Sequence, residues 1–204
     1  MVYDSAATRA RLLDAAYAEF SERGLAGARV DRIAAAAAAN KQAIYAYFGS
    51  KDGLFDAMLA VRLGVLSDAV PFTPEDLAGY AGALFDAMVE SPELVRLTQW
   101  KSLERSDASE GEAEAYRLKA VALQAATGID QESAIDLLIM IIAMATAWTS
   151  TGAALQALGS RRSATARRKA HRAAVVAGVE AIAATLPSRA PGRGASPPRA
   201  TAGA

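Results

Sequence analysis

The sequence predicts an all-α chain with an N-terminal three-helix unit, whose second and third helices form a helix-turn-helix, and a larger C-terminal helical domain. Three observations predict it. Apolar residues recur at intervals of three and four along most of the chain, and β-branched residues do not cluster at period two, which argues against a sheet. Helix-start and helix-stop signals punctuate that periodicity. Between Ala28 and Phe55, two short helical patterns joined by a tight turn run directly into a third.

The first helix is expected from about Ser5 to Arg23, with Leu13, Ala16 and Phe20 inward and Gly24 as its stop. Val30, Ile33, Ala34 and Ala37 fall at i, i+3, i+4 and i+7 and make one face of a short second helix, with Asp31 and Arg32 off that face. Ala35 to Ala39 favour helix by propensity alone. Asn40 then stops that helix and can cap a third by accepting a backbone N–H.

In the third helix Ile44 and Phe48 can anchor to the core, leaving Lys41, Gln42, Ala43, Tyr45, Ala46 and Tyr47 to face outward. These side chains suit double-stranded DNA. Glutamine can pair with an adenine edge, lysine with guanine or phosphate, and an alanine methyl can touch a thymine methyl. Tyrosine hydroxyls can bond phosphate oxygens and fix register. The alternative is that Tyr45, Tyr47 and Phe48 are ordinary core aromatics. Gly49 can end the helix in a left-handed conformation, and Ser50 can cap the next. Asp52 lies near that next helix's positive end, and Lys51 lies where a phosphate would be welcome.

These residues resemble the DNA-binding domain of the TetR family. The similarity is carried by Arg11 to Phe20, Arg23-Gly24, Val30 to Ala34, Lys41, Ile44-Tyr45, Tyr47-Phe48, Ser50-Lys51 and Leu54-Phe55, over about residues 8 to 59. The chain departs from the family in three places. Ala38 stands where the turn usually has Gly, and an Ala held at positive φ costs about 1 kcal/mol relative to Gly. Ala28-Arg29 replaces the usual Ser or Thr, which removes a cap and leaves Arg29 as a substitute phosphate contact. Gln42 replaces a commonly small residue, so the base preference of relatives does not carry over.

A fourth helix is expected from Lys51 to about Asp68, with Leu54, Phe55, Met58 and Leu59 inward, and Pro71 and Pro74 closing the linker. Thr73-Pro-Glu-Asp then reads as a helix start, followed by Leu77, Ala81, Leu84 and Met88 on one face. Ser91-Pro-Glu starts a helix carrying Leu94, Val95, Leu97 and Trp100. The next is expected from about Glu110 to Thr127, ending at Gly128, with Tyr116, Ala120 and Leu123 together. Asp130 caps the most apolar helix, whose strictly apolar run, Leu137 to Ala145, is shorter than the roughly 20 residues a membrane span needs. The last helix runs from about Ser163 to Leu186, and the Pro-, Gly-, Ala- and Arg-rich segment 187–204 reads as a disordered tail. Residues 1–52 thus form a helix-turn-helix domain, with helix 51–68 as the link, and 53–186 a second helical domain.

Formal net charge is zero, so binding to nucleic acid requires a local basic face, which Arg9, Arg11, Arg29, Arg32, Lys41 and Lys51 can supply. Glu104, Asp107, Glu110, Glu112 and Glu114 read as a solvated loop and helix start. The absence of cysteine excludes disulfides and thiolate chemistry, and no apolar leader precedes the first helix, which points to the cytoplasm. Catalysis competes poorly. The lone His171 lies in a basic stretch and reads as exposed, without acids at metal-ligand spacing, and neither a phosphate loop nor a Gly-x-Ser-x-Gly elbow occurs. No cofactor, metal or membrane is expected. The basic cluster Arg161, Arg162, Arg167, Arg168, Lys169 and Arg172 reads as a solvated face rather than a second nucleic-acid site.

One short helix reads too few base pairs alone, so a homodimer is expected, with a seam of two late helices from each subunit. Trp148, Thr149, Gly152, Leu155, Val175, Val179 and Ile182 are its candidates. The resemblance implies the same arrangement, and also a small-molecule pocket in the middle helices. Candidate lining residues are Phe85, Met88, Leu97, Trp100, Tyr116, Leu123, Met140, Met144 and Trp148. The resemblance therefore implies a transcriptional regulator, by default a repressor released from operator DNA by a small apolar or amphipathic effector. The alternative is a small-molecule-binding helical protein or enzyme without a DNA role.

Overall fold

The computed structural model describes residues 5–105, 110–158 and 162–186. Among these are ten helices and no strand: α1 Ser5–Gly27, α2 Val30–Ala36, α3 Lys41–Phe48, α4 Lys51–Ala69, α5 Leu77–Glu90, α6 Pro92–Glu104, α7 Glu110–Thr127, α8 Gln131–Ser150, α9 Ala153–Ala157 and α10 Ala164–Ala183. The segment expected as a tail, 187–204, lies outside the described residues, as do Arg161, Asp107 and the side chain of Glu110.

The first three helices and the start of α4 close around a shared apolar centre that is continuous with the rest of the core. Leu12, Ala16, Phe20, Ile33, Ile44, Leu54 and Phe55 have lost essentially all contact with water. The rings of Phe20 and Phe55 meet edge to face at 5.1 Å, which fixes α1 against α4. The caps form as their residue types dictate: Asn40 Oδ1 accepts from Ala43 N–H at 2.8 Å, and Ser50 Oγ accepts from Gly53 N–H at 2.9 Å. Gly49 ends α3 at φ 75°.

Gly24 breaks α1 as expected, with φ 69° and ψ 177°, and one further turn reaches Gly27. A Cβ there would also lie 3.3 Å from the Trp100 ring, so glycine is needed for conformation and for close approach. Ala38 is held at φ 49°, the one non-glycine residue at positive φ among those described. Ala38→Gly is therefore expected to add about 1 kcal/mol of stability and raise the melting temperature by ~2–4 °C, measured by calorimetry.

Arg29, the residue before α2, makes no side-chain cap. Glu19 of α1 compensates. Its carboxylate accepts from Arg29 N–H at 3.0 Å and from Arg32 Nε–H at 2.8 Å, placing negative charge at the start of α2. The Arg32 hydrogen bond is the largest influence holding the Glu19 carboxyl below its ordinary pKa.

In the larger domain α5 lies against α10 and α8, with α7 packed on α8. Leu77, Ala81, Leu84 and Met88 are all buried on one face of α5. The helix starts three residues later than Thr73 suggested, at Leu77. Thr73 to Asp76 makes a single turn, closed by Asp76 N–H donating to Thr73 O at 3.1 Å, and Asp76 Oδ1 then caps α5 through Gly79 N–H at 2.8 Å. Aspartate is the better cap, so it sets the boundary.

By length and composition α8 is apolar enough to cross a bilayer, with mean hydropathy 1.6. The shortness of its strictly apolar run is therefore not what separates it from a membrane helix. One side of it packs inside the chain: Ala134, Leu137, Leu138, Ile141 and Ala145 are buried against neighbouring helices. Its other side, with Ile135, Ile139 and Met140, faces solvent.

Candidate nucleic-acid interface and interior cavity

α3 is anchored at its back by Ile44, which has no exposed surface, and less deeply by Phe48 and Ala43. Its front carries Lys41, Gln42, Tyr45, Ala46 and Tyr47, all exposed, with Tyr45 at 46% and Tyr47 at 36%. The two tyrosines are thus not core residues. This eight-residue helix presents an amide, an ammonium, two phenols and a methyl, the kinds of group that can pair with base edges and phosphates. Ala43 is half-buried, so it lies at the margin of that face.

The cations nearby divide into two kinds. Arg11 donates to Ala37 O at 3.1 Å and to Thr8, pinning the end of α2, and Arg32 is held by Glu19. Lys51 does not point outward toward a free phosphate site: its ammonium donates to Leu25 O at 2.8 Å and Ala28 O at 3.4 Å, tying α4 to the end of α1. Arg29 is exposed, with no ion pair among the described residues. Arg9 is exposed too and lies 5.3 Å from the centre of the Phe48 ring, beside the end of α3. Sequence reasoning counts Arg9 only as general basicity, because the aromatic shelf that positions it is not visible there. Lys41 pairs with Asp31 at 3.0 Å across the turn, and this hydrogen bond raises its pKa.

A cavity of about 970 Å³ opens between α4, α5, α6, α7 and α8. It falls within the range for drug-sized ligands. Of the nine residues expected to line it, Met88, Trp100 and Tyr116 do so. The other six do not. Leu97 and Leu123 are closed inside the core, and Phe85 stacks on His171 at 5.6 Å. Met140 faces outward, Met144 lies against Gly178 of α10, and Trp148 lies against His171 and Arg167. Large side chains at helical spacing fill the core first, whereas α4 supplies one whole wall through Leu59, Leu63 and Leu66. Burial, with the nearby Tyr116 second, pushes the Tyr80 phenol up to about 12, so it remains a hydrogen-bond donor at neutral pH.

α6 connects this cavity to the N-terminal helices. Trp100 lines the cavity and packs on Gly24. Glu104, expected to be simply solvated, accepts from Ala26 N–H at 2.8 Å, and Arg96 donates to Ser21 O at 3.2 Å.

Residues 12–58 match the pattern described as bacterial regulatory proteins, tetR family, and residues 76–180 match the tetracyclin repressor-like C-terminal domain. The chain belongs to the TetR family. It is a DNA-binding transcriptional regulator. It is 42% identical over 150 residues to the HTH-type transcriptional repressor SCO4008 of Streptomyces coelicolor, covering 70% of this chain and 78% of the relative. The crystal structure of SCO4942 from the same organism is 34% identical and superposes with a TM-score of 0.71, covering 89% of this chain and 99% of that one. A TetR point variant of Acinetobacter baumannii, solved in complex with minocycline, shares the fold at 16% identity and a TM-score of 0.54, covering 84% of this chain and 95% of that one.

In this TetR-family chain α10 divides between core and surface in the opposite way to that expected. Val175 and Val179, expected at a subunit seam, are buried inside their own subunit, and Ile182 is half-buried against the same core. Trp148 likewise faces inward, and the Thr149 hydroxyl donates to Thr146 O. Only Gly152 and Leu155 of that set are open, at α9. The outward face of α10, with its C-terminal cap, is instead alanine: Ala166, Ala170, Ala173, Ala177, Ala181 and Ala184. The large stripe fills the core and the small one is left outside.

The basic segment is not a continuous charged face either. Arg172 holds Asp86 through two hydrogen bonds of 2.7 and 2.9 Å, and Arg167 lies over the Trp148 ring. His171, expected to be exposed, is half-buried between Phe85 and Trp148, and its Nε2 is buried without a hydrogen-bond partner among the described residues.

Proposed function

We propose that this regulator is a homodimeric repressor, working in the cytoplasm, whose two α3 helices read an operator and whose cavity takes a small molecule that releases it. One observation carries the reading. The polar face of α3 is exposed while Ile44 fastens its back to the core formed by α1, α2 and the start of α4. We assign residues 1–52 to DNA binding and 53–186 to effector binding and dimerisation. Gln42 and Tyr45 contact bases, Lys41, Tyr47, Arg29 and Arg9 contact phosphates or groove edges, and Ala43 and Ala46 supply methyl contacts. Lys51 contributes mainly by holding the first turn of α4 in place. The name of the Streptomyces relative supports repression as the mode of action.

The subunit seam in this reading uses the faces of α8 and α10 left open. Ile135, Ile139, Met140 and Ala143 on α8 are exposed, as are the alanines of α10, a helix in contact with α8, and two such pairs would make a four-helix interface. A ligand in the cavity acts through α6. By pressing on Trp100 it favours one placement of the N-terminal helices, and operator binding falls by the difference in affinity between the two states. A difference of ~1–3 kcal/mol gives about 5- to 150-fold release.

Footprinting of the DNA upstream of the chain's own gene and its neighbours tests this reading. Protection of a site with two half-sites, relieved by at least one small molecule that the protein binds, supports it. Binding without sequence preference, or turnover of the ligand by purified protein, contradicts it.

A further inference from the structure

Two cations on the cavity wall, Arg96 and Lys119, have no carboxylate partner among the described residues, and of the two only Lys119 lacks a close hydrogen bond to the chain. Its acids are paired within the protein: Asp56 with Arg105 at 2.7 Å, and Glu112 with Lys101. Arg96, on the α6 side, donates to Ser21 O. Lys119, on the α7 wall, has no carboxylate within 4 Å among the described residues. Its ammonium lies 5.8–5.9 Å from the ring centres of Phe72, Tyr80 and Tyr116, and its one hydrogen bond is a long 3.4 Å contact to Tyr80 Oη. Because Lys119 donates to Tyr80, the Tyr80 hydroxyl proton remains available for an acceptor. The Tyr116 phenol lines the same wall. Two phenols and one ammonium therefore line a space whose apolar wall includes Leu59, Leu63, Leu66, Leu84, Met88 and Trp100, with Thr98, Gln99 and Thr146 among its neutral polar groups.

We propose that the cavity selects an apolar molecule bearing a single carboxylate, with Lys119 as its counter-ion and the Tyr80 hydroxyl as second donor. This rests on the effector reading above. A carboxylate completes a charge-assisted hydrogen bond in a low-dielectric site, where such bonds are strongest. A neutral ligand leaves Lys119 without a counter-charge, and a cationic one is repelled by it. Burial already holds the Lys119 pKa below its ordinary value, as expected of an ammonium lacking its partner.

The test is calorimetric titration of the full chain at pH 7 with two matched pairs, decanoate against decanamide and 2-naphthoate against 2-naphthamide, and with decylamine. At least one acid is expected to bind about tenfold or more tighter than its amide. Lys119→Met is expected to erase that preference, and Lys119→Arg to retain it. Acids binding no better than their amides, a preference for decylamine, or an acid preference surviving in Lys119→Met each overturns the proposal. Operator release is scored separately. If an acid binds through Lys119 but does not loosen the protein from DNA, the regulatory reading fails while the ligand assignment stands. If decylamine or an amide is the releasing ligand, the reverse holds.

Discussion

Replacing Gln42 and Tyr45 together by alanine is expected to lower operator affinity by about 100-fold or more, with little change in melting temperature. Both side chains are on the exposed front of α3, and neither makes a hydrogen bond to the rest of the chain among the described residues. Their removal leaves the core intact, and surface changes of this kind usually move stability by less than about 0.5 kcal/mol. Each well-made base contact is worth ~1–3 kcal/mol of discrimination, so losing two reduces specific binding severely while leaving phosphate attraction in place. The variant should therefore bind operator and unrelated DNA with similar, salt-sensitive affinity. Fluorescence anisotropy on both DNAs over a range of salt checks this. An unchanged preference for operator would mean that another element reads the sequence.

Ile139→Arg is expected to convert the protein to monomers and weaken operator binding by about 10²–10⁴-fold. Ile139 is 58% exposed in the single chain, so an arginine there does not disturb the subunit's own packing. It does place a charge in the middle of the face we assign to the partner. Two linked reading heads hold a two-part operator far more tightly than one, by roughly that factor, because the second contact is made at high local concentration. Sedimentation analysis with an operator titration measures both effects. Ala177→Arg on the facing part of α10 should behave the same way. A variant that stays dimeric at micromolar concentration would move the seam elsewhere. The contrast with Val179→Ala is informative, because Val179 is completely buried within the subunit and its truncation should lower stability without changing oligomeric state.

The helical class and most helix ends were legible because local chemistry decides them. Asn40, Ser50, Asp130 and Ser163 each cap the helix that follows, and Gly24, Gly49 and Gly128 take positive φ at the stops. Thr73 misled because two caps compete within four residues, and only the closed turn to Asp76 shows which one prevails. The outward residues of α3 were legible because a short helix with Ile44 and Phe48 on one side leaves a single face for the rest.

The cavity and the seam were poorly legible for a common reason. Periodicity marks a helix's large apolar stripe but does not say which neighbour covers it. Val175 and Val179 form the cleanest stripe in α10 and pack inside, and the alanines carry no signal as a surface. Leu97, Leu123 and Met144 resemble pocket residues in the sequence, but neighbouring helices lie directly against them. Lys119 gives no signal in the sequence, because a lysine on an exposed-looking helix reads as solvated. Phe72 and Tyr80, meeting α7, half-bury it. Lys51 and Glu104 show the same limit: each looked free, and each joins segments far apart in the chain.

Dimethyl sulfate protection on operator DNA tests the central claim most directly, because the reagent methylates guanine N7 in the major groove. The account predicts guanines protected in two half-sites one helical turn or a multiple apart, with that protection lost in the Gln42→Ala, Tyr45→Ala variant. Protection confined to adenine N3 in the minor groove, or a guanine pattern unchanged by the α3 substitutions, would contradict it.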